Sequence, residues 1–139
     1  MKSKYTPLVK LKKKELDRVE HDLIRANNAF SAASIALDDA YTLLSTLSLP
    51  ANGSIIELLQ AQALIQAQHT EIQQCVDRLA LAKAQQLQTQ RQFKASMIEY
   101  EKFNYLEVQE AHAHLARMKK EEAKMLDEIG VMTYKREPL

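Results

Sequence analysis

Glycine and proline are scarce in this 139-residue chain, at two and three residues, aromatics make up 6%, and tryptophan is missing. Sheet folds and glycine loops that cradle phosphates are therefore poorly supported. A lone Cys75 excludes an internal disulfide framework and a multi-cysteine zinc site, and it fits a reducing compartment. Charge of one sign is not in excess: 19 Lys+Arg face 18 Asp+Glu, which leaves almost no field to steer the chain toward nucleic acid. No apolar run approaches the ~18 residues of a membrane span, and no signal-peptide-like stretch follows the lysine-rich start. What is abundant is Ala, Leu, Gln, Glu and Lys. The expectation is a soluble, cytoplasmic, all-α protein.

Helix breakers lie near the ends and at one interior place, Pro50 with Asn52-Gly53. That cluster is the one plausible turn. Ser54-Ile55-Ile56-Glu57 reads as a capping box, with Ser54 accepting from an orphan backbone N–H and Glu57 reaching back. Thr6-Pro7 sets a cap residue before a first-turn proline, and Gly130 stands where a left-handed helix stop belongs. The spacing predicts one coiled-coil hairpin over 1–139: a helix over 7–48, a turn over 49–53, a helix over 54–129 and a tail over 130–139.

The first helix carries a sustained 3-4 spacing from Val9, Lys12, Leu16, Val19, Leu23 and Ala26 through Phe30, Ala33, Leu37, Ala40, Leu44 and Leu47. Only Lys12 interrupts the apolar seam. So long a heptad repeat argues for coiled-coil packing, because a 3.5-residue period keeps one narrow stripe facing a partner helix. In the second helix the period is diluted: Leu58, Ile65, Ile72, Leu79, Gln86, Phe93 and Tyr100 alternate with Gln62, His69, Val76, Lys83, Gln90 and Met97. Folding at 49–53 sets Leu44 opposite Leu58, Leu37 opposite Ile65, Phe30 opposite Ile72, Leu23 opposite Leu79 and Val9 opposite Phe93. The second helix then overhangs from about residue 97. After a stutter near Asn104 the repeat strengthens again as Val108, Ala111, Leu115, Met118, Glu122, Met125 and Ile129. This segment either binds another protein or pulls back onto the first helix; the lack of breakers favours the overhang. Self-association through 108–129 is the competing reading.

Catalysis needs a pocket that excludes water around converging groups, which a two-helix rod does not supply, so no enzyme activity and no cofactor are expected. His112 and His114 point about 200° apart on a helix and cannot share a metal. Glu110 and His114 share a face but lack further ligands, so no metal site is expected either. His69 falls on the weaker seam opposite Ala33, where a polar residue fixes register or meets a partner. Cys75 reads as a small buried filler. Residues 1–14 hold six lysines and no acid, but Glu15, Asp17, Glu20 and Asp22 follow at once without an aromatic platform, which argues against nucleic acid.

The opening Tyr5-Thr6-Pro7-Leu8-Val9-Lys10-Leu11-Lys12-Lys13-Lys14-Glu15-Leu16-Asp17-Arg18-Val19-Glu20 resembles that of the FliJ family of flagellar export proteins. An aromatic, then Leu and another aliphatic, then a basic run passing into Glu-rich heptads is the shared pattern. Length, the single interior turn and the longer second helix also agree. The resemblance implies a non-catalytic stalk and adaptor of type III export. Such a protein inserts in the hexameric export ATPase ring, contacts the membrane export gate component FlhA and escorts export chaperones. It would be cytoplasmic and peripheral to the inner face of the cell membrane through those protein partners. By the same resemblance, the gate is met near the turn by Leu58, Gln62, Ile65 and His69, with Leu37, Tyr41 and Leu44 facing them. Gln62 departs from the apolar residue of the family pattern. The ATPase ring would meet Lys10, Lys13, Lys14, Arg18, Arg117, Lys120 and Lys124. A generic coiled-coil scaffold or holdase chaperone, homodimeric or not, is the alternative.

Overall fold

A computed structural model describes residues 3–136 of the chain. Two helices make up nearly all of it, α1 over Thr6–Thr46 and α2 over Ile55–Arg136, packed against each other as an all-α antiparallel hairpin with no strand among the described residues. The packing divides into two units, one of Met1–Leu16 with Ser96–Leu139 and one of Asp17–Ala95. Each sets a stretch of α1 against a stretch of α2.

The helix ends follow their local chemistry, and all four depart from the expected boundaries, by one residue at the two starts and by more at the two ends. At the start of α1 the capping hydroxyl is Ser3, whose Oγ accepts from the Tyr5 N–H at 3.1 Å, while Val9 N donates to Tyr5 O at 2.8 Å. Thr6 is already the first helical residue, and Pro7 follows where its missing N–H costs nothing. α1 closes two residues early, at Thr46. There Ser45 Oγ and Thr46 Oγ1 donate to the carbonyls of Thr42 and Leu43, and Leu47 N tightens the last turn onto Leu44 O. These bonds satisfy carbonyls that a helix end leaves orphaned.

At the start of α2 the Ser54 half of the capping box is formed, with Glu57 N donating to Ser54 Oγ at 3.2 Å. The Glu57 carboxylate folds over Gly53 and occupies the space a Cβ there would need. The expected stop at Gly130 does not occur. α2 passes through it to Arg136, no glycine has a positive φ, and Gly130 faces open space. A glycine in an exposed helix costs about 1 kcal/mol relative to alanine, too little to end a helix that neighbours on both sides support.

The α1 seam is as expected: all twelve positions from Val9 to Leu47 are buried or half-buried. In the second unit the core is Ala40, Ile72 and Cys75, with Leu37, Leu44 and Val76 packed against it. The α2 seam differs from its expected phase at alternate positions, Val76 excepted, which is half-buried and packs on the core beside Cys75. Ile65, Ile72, Leu79, Gln86 and Phe93 do turn inward, but the residues between them are Ala61, Gln68, Cys75, Ala82 and Thr89. His69, Lys83 and Gln90 are exposed. Small side chains fill the seam where α2 lies close to α1, and bulk rather than hydropathy decides who fits. Two amides complete it. Gln68 Nε2 donates to the backbone carbonyl of Ala40 at 2.7 Å, and Gln86 Nε2 donates to Asn27 Oδ1 at 2.8 Å.

These bonds also correct the register. Folding at 49–53 would have set Asn27 against Cys75, and it meets Gln86. Within the first unit, Lys12 would have met Gln90, and it pairs with Glu99 at 3.9 Å. α2 is thus displaced by six residues at Gln68, nine at Glu99 and eleven at Gln86, or roughly two to three turns. The cause is the connection. Eight residues, 47–54, separate the helices, and instead of turning tightly they run beside the first turns of α2, where Leu49 lines a groove with Leu59, Gln62, Ile65 and His69. At up to ~3.3 Å per residue the segment has ample reach for this offset.

In the first unit the heptad spacing on α2 continues without the stutter expected near Asn104. Ser96, Tyr100, Phe103, Glu107, Glu110 and His114 all turn toward α1. Lys12, the one charge in the α1 seam, is held here: its ammonium reaches Glu15 and Glu99 and lies 5.8 Å from the Phe103 ring centroid. Ser3 Oγ donates to Glu110 Oε2 at 2.8 Å. The unpartnered part of α2 therefore begins after His114 and not near residue 97, and every described side chain from Leu115 to Tyr134 is exposed.

Candidate functional site

Near the turn, the seven residues expected at the export gate fall into two groups. Leu37 and Leu44 pack on the Ala40–Ile72–Cys75 core, so their side chains serve the fold, and Tyr41 beside them is exposed. They pack on the cluster that contains Ile72 and Cys75, whereas Leu58 is exposed and takes no part in it. Gln62, Ile65 and His69 share a groove of about 590 Å³ with Leu49, Leu59 and Gln66. His69 stands on the groove and not on the seam, the inward place being taken by neighbouring Gln68. Leu58, with Ile55, Ile56 and Leu59, presents an exposed apolar surface on the first turns of α2.

Sequence reasoning passed over Leu49, Ile55, Ile56 and Leu59. The available signal was the dense run Ile55-Ile56-Glu57-Leu58-Leu59, in which apolar residues exceed what a single seam can bury. Surplus of this kind marks a surface that another body covers.

In the first unit, Lys10, Lys13 and Lys14 are exposed near the start of α1, and the Lys13 ammonium lies 5.5 Å from the Tyr100 ring centroid. Arg18 belongs to the second unit and is directed to Asp22 at 3.5 Å, which also takes Arg25. Arg117, Lys120 and Lys124 are exposed on distal α2. Arg117 borders a cleft of about 520 Å³ lined also by Ser3, Thr6, Glu107, Glu110 and His114. His114 is half-buried in that cleft, whereas His112 is exposed. Among the described residues no His, Cys, Asp and Glu cluster is arranged to hold a metal ion, and no helix is long and apolar enough to cross a membrane.

Two long helices, small residues along their seam, and exposed apolar and basic surfaces define a coiled-coil hairpin. A family model described as "Flagellar FliJ protein" matches residues 1–139, and the chain belongs to that family, a non-enzymatic one with a role in flagellar protein export. Neither curated proteins nor solved structures give a significant match.

Proposed function

We propose that this chain is the stalk and adaptor of flagellar type III export, joining the hexameric export ATPase to the membrane export gate component FlhA and escorting export chaperones. It works in the cytoplasm at the inner face of the membrane, held there by protein partners. The observation that carries the reading is family membership over the whole chain. The groove of Leu49, Leu59, Gln62 and His69, with exposed Leu58 nearby, offers FlhA an apolar surface with polar edges. Lys10, Lys13 and Lys14 in the first unit, Arg18 in the second, and Arg117, Lys120 and Lys124 on distal α2 supply cations for acidic loops of the ring. A helix-built scaffold suits such work, since contacts set on helices are held more firmly than contacts set on loops.

The test adds the full chain to the matching export ATPase and follows ATP hydrolysis and hexamer fraction, both of which should rise. Leu58→Asp and His69→Ala should weaken binding to the FlhA cytoplasmic domain while leaving ATPase stimulation intact, and Lys10→Glu with Lys14→Glu should do the reverse. Equal loss of both activities in either variant would refute separate surfaces. The competing reading, a generic coiled-coil scaffold or chaperone that is either a homodimer through 108–129 or a holder of unfolded chains, draws on the exposed apolar residues beyond His114. Unchanged hydrolysis and hexamer fraction would favour it.

A further inference from the structure

The part of α2 beyond α1 carries two different rows. The row that faces α1 through Phe103, Glu107, Glu110 and His114 continues at the same spacing as Arg117, Glu121, Lys124 and Glu128, all charged. One position round the helix, about 100° away, lie Leu115, Met118, Met125, Ile129 and Met132, between 46% and 61% exposed. A helix extending the line of α1 would therefore meet charge. The apolar row faces elsewhere and is built for a different body.

Two features state what that body is. Glu122 interrupts the apolar row at its middle, and Glu121 and Glu128 border it on one side. Among the described residues neither Glu121 nor Glu128 makes an ion pair. A second copy is a poor occupant. Parallel pairing sets Glu122 against its own counterpart inside the seam, and antiparallel pairing sets Glu121 against Glu128 along the flank. At the near end, in the cleft that Leu115 also lines, Glu107 Oε2 is buried with no hydrogen-bond partner. An acceptor left in that state is costly and gains most from an arriving donor. Arg117 and Lys124 lie on the same side but further from the apolar row, and Lys119 borders its other side with Leu126 and Thr133; with Glu122 inside the row and Glu121 and Glu128 beside it, the charge next to the row is net negative.

We propose that the Leu115–Met132 face of α2 binds an amphipathic helix of another protein, apolar along one side and flanked by lysine or arginine. The surface is separate from Lys120, on the opposite side of α2, and does not depend on the identity of the ATPase contact.

The test uses the full chain and a pair of labelled helical peptides of about 20 residues, roughly 30 Å long. Both carry leucine at the seam positions, one flanked by lysine and the other by glutamate. Fluorescence anisotropy should show the lysine-flanked peptide binding about tenfold more tightly, a preference that shrinks as salt is raised. Met125→Asp with Ile129→Asp should abolish binding. Glu121→Lys with Glu128→Lys should transfer the preference to the glutamate-flanked peptide. These side chains are exposed, and circular dichroism of each variant should match the parent. Equal binding of both peptides, or binding of neither, overturns the proposal. So does a sedimentation result in which the parent chain is a dimer and Met125→Asp makes it a monomer, since a second copy would then occupy the face.

Discussion

Gln68 and Ala40 are joined by a buried hydrogen bond, side-chain amide to backbone carbonyl, that crosses from α2 to α1 in the second unit. The amide is 8% exposed, so no solvent competes effectively for it. Replacing Gln68 by leucine should lower stability by about 0.5–1.5 kcal/mol, the net worth of one such bond, because the carbonyl keeps its helical partner. His69→Ala, one residue along and exposed, should change stability by less than about 0.5 kcal/mol. Urea unfolding of the pair checks the phase of the seam: equal losses, or a larger loss at His69, would contradict it.

Ala40 itself admits no more bulk, lying 7% exposed against Ile72 and Cys75. Ala40→Leu should destabilise by about 1–3 kcal/mol through overpacking, although leucine is as good a helix former as the position needs. Thermal unfolding followed at 222 nm reads this directly. A stabilised variant would mean that the helices stand further apart than described.

The register is open to a chemical test. In a Cys75→Ala background, cysteines at Asn27 and Gln86 should be joined rapidly by a short bis-maleimide, since the native side chains are in contact at 2.8 Å. Asn27→Cys with the native Cys75 left in place should not cross-link, because those residues were neighbours only in the tight-turn register. Electrophoresis after cleavage between the helices distinguishes the two results.

Gly130 lies within α2 with nothing within 4 Å of the position a Cβ would take. Gly130→Ala should therefore strengthen the distal helix by up to about 1 kcal/mol, from propensity and reduced freedom of the unfolded chain. Amide hydrogen exchange over residues 126–134 should slow several-fold. Unaltered or faster exchange would show that the helix does not run through this point.

The α1 seam was legible because it is apolar from Val9 to Leu47, mostly in Val, Leu and Phe, with Lys12 as the lone interruption. The matching positions of α2 were not, because Ala61, Cys75, Ala82 and Thr89 are favoured there for small volume. A reading by hydropathy prefers Val76 and Met97, one residue away. The turn was also legible, from Pro50 and Asn52-Gly53, but its path was not. Breakers mark where a helix ends and say nothing of how far the connection climbs beside the next one. That hidden offset displaced the expected pairs, Asn27 from Cys75 to Gln86 and Lys12 from Gln90 to Glu99. On the distal helix, Gly130 misled because propensity was given the weight of a stop signal.

Small side chains along α2 have one more consequence. Three successive heptads there present nearly interchangeable Cys75, Ala82 and Thr89, so a slide of α1 by seven residues would meet much the same small side chains on that row. Gln68 and Gln86 do not repeat at that interval with a carbonyl or an asparagine waiting for them. They act as pawls on an otherwise smooth rack, and removing both would leave a sliding pair in place of a locked one.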